Sequence, residues 1–319
     1  MELGLYTDSL PDHTFEEALD VAARVGATAI EIATGGQSGA PHLRIDELLG
    51  HARRRADFAK AFSDRGLRIA ALNCSAWPLH PAVGEWDLAL IRSTIRLASE
   101  LEVTTLVTMS GSPGDGRDAT AVNFVWYPWP EESIALLERQ WDAAIALWSV
   151  LAAEARAAGI ESLAFELHPL HLVYNVPTFE RLRDAVGPIV GVNLDPSHLF
   201  WQGMDPLAVI RVLGPSVRHV HLKDTEIVTD QVAVAGVLDQ RSFDDPARRA
   251  WVFRAAGSVH DRAWWRAFVE GLRDVGFDGA LAIENEDASL PAEAAVEGAA
   301  RFMRPIIGGR TGAEPVRPG

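Results

Sequence analysis

Cysteine is all but missing. Cys74 is the single cysteine in 319 residues, so no intramolecular disulfide framework can hold the chain. The opening residues, MELGLYTDSL, lack the basic start and apolar core of a secretory leader, and the expected compartment is the cytoplasm. No apolar run approaches the roughly 20 residues that cross a bilayer. Positive charge is also in short supply: 29 Lys and Arg face 44 Asp and Glu, a net charge of −15. That field repels nucleic acid and anionic lipid, so neither is an expected partner and a small soluble molecule is. The first turn, YTDSLPDHTF, has no G-x-G-x-x-G dinucleotide fingerprint, which counts against a doubly wound nucleotide-binding sheet.

Hydrophobic residues make up 48% of the chain, enough for a large core, and their pattern alternates. Short β-rich runs start at Glu2, Thr28, Arg68, Thr104, Ser162, Ile189, Val217 and Gly279, and segments of helical period separate them. Gly26, Gly66, Gly159, Gly187 and Gly276 stand where helices should end. Eight strand–helix pairs imply a parallel sheet, and eight such units close into a single (β/α)8 TIM barrel over residues 1–307. Two inserts break the spacing, at about 111–132 and 225–262. Both follow strands, which is the side where barrel active sites form. Trp126, Trp129, Trp251 and Trp264 fall in or beside them, so we expect a lid or a substrate wall there. The last residues, 308–319, read as a flexible tail.

The stretch GVNLDPSHLF, Gly191–Phe200, shows where chemistry should lie. An apolar run ends abruptly in Asp195 and His198, and a strand buried on both faces has no use for a carboxylate without a partner. Other strands end alike, in Glu166 and His168, in His219, His221 and Lys223, and in Glu284 and Glu286. Residues two apart share a face, so these groups should meet at the barrel mouth. Converging carboxylates repel unless a cation lies between them. Glu166, Asp195, His221 and Glu284 make an oxygen-rich set with one nitrogen, which suits Mn²⁺ best, then Mg²⁺ or Co²⁺, with Zn²⁺ a poorer match.

This order of motifs resembles the xylose isomerase-like barrels, in their sugar isomerase and epimerase branch, from about Gly4 to Met303. The resemblance implies that Glu166, Asp195, His221 and Glu284 bind the metal. It also implies that Glu166 and Glu284 act as acid and base and that His198 contacts substrate. Many epimerases place an Arg six residues after the metal-binding His; here Ile227 stands there, and Arg254 is the substitute candidate. His168 and Lys223 at the strand ends, with Asn73 and His80 at or after the third strand, complete the candidate substrate contacts. Glu31 reads as a substrate contact or a salt-bridged barrel residue, and His42 as a binding or turn residue.

A metal that chelates a carbonyl and a neighbouring hydroxyl makes the adjacent C–H acidic enough for a carboxylate to take its proton. The enediolate then leads to epimerisation, isomerisation or elimination, and the ligands do not choose among them. SAWPLHP, WYPWPEE and ENED resemble the catalytic subunits of C-glycoside deglycosidases, which implies a lyase acting on 3-keto-glycosides. A homo-oligomer, or a hetero-oligomer with a smaller subunit, fits such a role. Metal-dependent DNA-repair endonucleases share this barrel type, but the charge of −15 opposes them. An inert sugar sensor would not need the ligand set to converge. A sugar or glycoside without phosphate is the expected substrate, since no Gly-rich phosphate cradle opens a helix.

Overall fold

Each of the eight expected β-rich runs forms a strand, and a ninth lies in the second insert. The computed structural model describes residues 1–309. Its strands are β1 (Glu2–Tyr6), β2 (Ala29–Gly36), β3 (Arg68–Ser75), β4 (Thr105–Thr108), β5 (Ser162–Glu166), β6 (Val190–Leu194), β7 (Val217–Ile227), β8 (Trp251–Ala255) and β9 (Ala280–Ile283). β1 to β7 and β9 pair in parallel in the order β6-β5-β4-β3-β2-β1-β9-β7, and the β6–β7 pairing closes the ring. The result is a single (β/α)8 barrel with helices outside. Every residue of β5, β6 and β9 is buried, as strands covered on both faces must be.

Local signals place the helices. Thr14 and Glu17 form a reciprocal cap before Phe15–Val25. Gly26, Gly66, Gly159, Gly187 and Gly276 all take positive φ, the left-handed geometry that Gly adopts without a Cβ penalty. Indole rings wedge the long helix Glu131–Ala157 against the barrel: Trp148 is fully buried, meets Phe165 edge-on, and donates from Nε1 to the Ser110 carbonyl at 2.9 Å.

The 225–262 insert is tied to the barrel, because β7 runs on past the barrel rim and its last five residues pair antiparallel with β8. One expected boundary shifts. The final helix, Ala292–Gly308, includes Gly308, where the tail was expected to begin; residues 310–319 of that tail lie outside the described residues. Among the described residues, no helix is long and apolar enough to cross a membrane.

Candidate active site

The abrupt end of β6 has a local explanation. Asp195 caps the short helix Pro196–Trp201 by accepting from the Ser197 N–H at 2.8 Å, with Pro at the first helical position where no N–H is needed. One turn later His198 is folded back over the strand end. Its Nε2 lies 3.0 Å from Glu166 Oε1 and 3.4 Å from Asp195 Oδ2.

Four strand ends converge here as expected. Glu166, Asp195 and His221 each offer a ligand atom, all within 4.8 Å of one another. His221 Nδ1 is 3.0 Å from Glu284 Oε2 and 3.6 Å from Glu166 Oε2. Lys223, on the same face of β7 as His221, places Nζ 2.7 Å from Glu284 and Glu286 and 3.0 Å from Asp195 Oδ2. Asn193, two residues before Asp195, adds a donor to Glu166 Oε2 at 3.1 Å; its position on the Asp195 face of β6 was the signal that sequence reasoning passed over.

A second layer lies deeper. Glu31 on β2 accepts from Asn73 at 2.7 Å, and its Oε2 lies 2.7 Å from His219 Nε2 and 2.9 Å from His221 Nε2. A carboxylate only accepts, so both imidazole nitrogens that face it carry protons. Nδ1 of His221 is therefore the nitrogen turned toward Glu166 and Glu284. Burial alone would raise the Glu31 pKa, but His221 and His219 outweigh it and draw it down to about 2. Glu31 is thus a salt-bridged barrel residue that orients a candidate ligand, the kind of support metal-binding histidines usually have.

Do these residues fit a cation? Asp195 Oδ2 and His198 Nε2 are buried without a hydrogen bond, although Lys223 and His198 stand at ion-pair distance from the carboxylate. Lys223, together with His221, whose pKa burial lowers but Glu284 and Glu31 raise well above the ordinary value, faces Asp195, Glu166, Glu284 and Glu286, so carboxylates outnumber their cationic partners. Burial works against ionisation of Glu284, yet His221 and Lys223 hold its pKa well below the ordinary value. Converged, ionised oxygens with one imidazole nitrogen and an unspent lone pair are a donor set that a divalent cation fits.

The cluster forms the floor of a cavity of about 1110 Å³. Glu166, His168, His198, Lys223 and Glu284 line it, and Asp195 and His221 lie just beneath. Burial, then the neighbouring His198, pulls the His168 pKa down to about 4, so its ring is neutral at pH 7. Asn73 also reaches the lining, with its amide engaged by Glu31. The walls are aromatic: Phe124 and Trp126 come from the first insert, Trp251 and Phe253 from the second.

Several candidates lie elsewhere. His80 stands outside the lining; its Nδ1 accepts from the Ala82 N–H at 3.0 Å, a turn contact. His42 is buried with Nε2 3.0 Å from the His13 carbonyl. Trp129 is 72% exposed and outside the lining. Arg254 is paired with Glu226 at 2.8 Å and Asp287 at 3.2 Å, away from the main cavity. The reason is parity: on β8 alternate residues face opposite sides, so Trp251 and Phe253 face the cavity and Arg254 faces away. Arg249, two residues before Trp251, does line the cavity, and sequence reasoning missed it.

Comparison with known proteins agrees with this architecture. The sequence pattern of a family described as "Xylose isomerase-like TIM barrel" matches residues 19–306. YfiH of Bacillus subtilis (strain 168), described as an uncharacterized protein, is 40% identical over 311 residues, covering 96% of this chain and 99% of that protein. Among solved structures, the probable 3-DHS dehydratase AsbF from Bacillus anthracis has a TM-score of 0.66 at 15% identity, over 95% of this chain and 99% of that one. A D-psicose 3-epimerase solved in the presence of D-fructose has a TM-score of 0.65 at 16% identity, over 97% and 100%. The IolI protein with a binding zinc atom has a TM-score of 0.65 at 18% identity, over 96% and 98%. At such identities the structural likeness is one of fold.

Proposed function

The chain belongs to the xylose isomerase-like TIM-barrel family, and on that premise we propose that it is a divalent-metal-dependent enzyme of the sugar isomerase or epimerase type. Its substrate is a sugar or keto-sugar that loses a proton beside a carbonyl and passes through an enediolate. The observation that carries this reading is the convergence of Glu166, Asp195, His221 and Glu284 beneath one cavity, with Asp195 Oδ2 left without a hydrogen bond.

Those four residues would hold the cation, with Mn²⁺ favoured by the oxygen-rich set. When bound, it supplies Lewis-acid polarisation of the carbonyl and offsets charge gathering on oxygen. The chain's own groups handle the protons. Glu284 Oε2 is fixed by Lys223 and His221; Oε1 carries no such bond, and the side chain lines the cavity, so Glu284 is placed to take a proton from carbon. Glu166 Oε1, held against His198, is placed to return one.

The size of the cavity favours a second reading. At about 1110 Å³ it exceeds the roughly 300–1,000 Å³ of typical small-molecule sites, which suits a glycoside better than a bare hexose. From a 3-keto-glycoside, the same proton abstraction followed by departure of the β-substituent is an elimination.

The test is exchange in D₂O with the Mn²⁺-loaded protein, using ketohexoses and 3-keto-glucosides. Deuterium should enter at the carbon next to the carbonyl, and EDTA should abolish it. Glu284→Gln should slow it by about 10²- to 10⁴-fold, the usual worth of a general base. Exchange that survives in Glu284→Gln but vanishes in His198→Ala would move the base to the imidazole. No exchange with any of these sugars would refute the reading.

A further inference from the structure

Arg249 is the feature that the chemistry above leaves unexplained. It stands just before β8, is 1% exposed, and lines the outer part of the cavity. Two aromatic rings pack against it roughly at right angles to one another, with the guanidinium carbon 3.8 Å from the Phe243 centroid and 4.7 Å from that of Trp251. Its N–H groups are only partly used. Nε donates to the Trp251 carbonyl at 3.2 Å and Nη1 to the Arg241 carbonyl. Nη2 has no protein acceptor among the described residues.

Nor does a carboxylate neutralise it. Asp239 is the nearby acid, but Arg241 takes it through Nε at 2.7 Å and Nη2 at 2.9 Å, and the Ala250 N–H takes it at 2.6 Å. Among the described residues Arg249 makes no ion pair, whereas Arg241 and Arg254 of the same insert do. Burial pulls the Arg249 pKa down from its ordinary value, the expected sign for a cation short of partners. A buried guanidinium stays charged and is costly unless an anion meets it. This one is packed against two rings and lines a cavity with Nη2 left over, in a chain otherwise rich in negative charge.

We propose that Arg249 is a substrate-binding residue that accepts a carboxylate carried by the aglycone of an aromatic glycoside. The apolar part of that aglycone lies between the walls given by Phe124 and Trp126 on one side and Trp251 and Phe253 on the other. The sugar then occupies the floor and the carboxylate the outer end. A planar guanidinium edge matches a carboxylate, and the aromatic walls match an aryl ring. This deepens the glycoside reading and rests on it.

Binding, read without turnover, tests it. Isothermal titration of the full-length protein would use phenyl β-D-glucoside, its 4-carboxy derivative and its neutral 4-carboxamide. Wild type should bind the carboxylate about 10- to 100-fold more tightly than the other two, the range for a hydrogen bond to a charged group. In Arg249→Met the three affinities should become equal, with near-ultraviolet circular dichroism reporting whether the stack of Trp251 on Trp201, whose ring centroids lie 4.6 Å apart, persists. Equal binding of carboxylate and carboxamide by wild type would overturn the proposal, and it needs no variant. So would a preference that survives in Arg249→Met, or one shown for glucose 6-phosphate over glucose in place of the aryl carboxylate. None of these measurements depends on proton abstraction, so a failed deuterium exchange and a failed titration speak to different claims.

Discussion

Glu31 and Asp195 are each 1% exposed, and there the likeness ends. Glu31 is saturated: Asn73, His219 and His221 surround its two oxygens. Asp195 caps a helix with one oxygen and keeps the other without a hydrogen bond. Burial is therefore silent about function in this barrel, and satisfaction is informative. A carboxylate engaged on both oxygens builds the site; one with an oxygen left without a hydrogen bond is where a cation would bind.

The contrast predicts opposite outcomes for the two residues. Asp195→Ala should empty the metal site and with it remove activity, with about 1 kcal/mol of stability lost through the missing cap. Elemental analysis of protein purified without added metal should find about one Mn, Co, Mg or Zn per wild-type chain and none in the variant. Full metal occupancy in Asp195→Ala would remove Asp195 from the ligand set. Glu31→Gln should act the other way round. It breaks a buried ion pair, a loss of about 3–5 kcal/mol, visible as a lower urea midpoint. Metal affinity should fall more mildly, by about 10- to 100-fold, as for other partners of metal-binding histidines. If its stability loss matched that of Asp195→Ala, the two layers would not be distinct.

Asp8 sharpens the comparison at its smallest scale. It follows β1 on the cavity wall, its Oδ2 accepts from the Ser38 hydroxyl, and its Oδ1 is buried without a partner. Burial raises its pKa from 3.8 to about 6, chiefly against the ionised form. A carboxyl with a raised native pKa contributes stability that is complete below the unfolded pKa and lost as pH rises through the native one. Relative to Asp8→Asn, wild type should therefore lose stability between about pH 4 and pH 6 and hold a constant difference above. Denaturant midpoints measured from pH 4 to 8 would show it, and parallel curves for the two proteins would contradict the assignment.

The strand-borne part of this molecule was legible in the sequence because burial on both faces makes any ionisable residue conspicuous. Glu166, Asp195, His221 and Glu284 stood out against aliphatic runs, and the two-residue period placed His221 and Lys223 together. What failed was the insert. TrpValPheArgAla carries no period that tells which side faces inward, and only its pairing register with β7 settles that Arg254 points away. His80 failed for a different reason: its imidazole caps a turn through backbone contacts, which residue type cannot distinguish from a site contact. Glu31 was legible as one of two alternatives, and the histidines that decide between them arrive from a strand nearly 190 residues away.

One feature of β7 has a mechanical side. The same unbroken strand holds His221 inside the barrel and, a few residues on, carries β8 with its aromatic wall. Wall and floor are thus mounted on one beam, fixed at the barrel and extended beyond the rim like a cantilever. Such a support transmits load to its root. The second insert consequently cannot swing as a free flap without twisting the imidazole that faces Glu166 and Glu284, whereas the first insert hangs from a loop after β4. Lengthening or trimming at the tip of β8 would be felt at the imidazole, far from the cut.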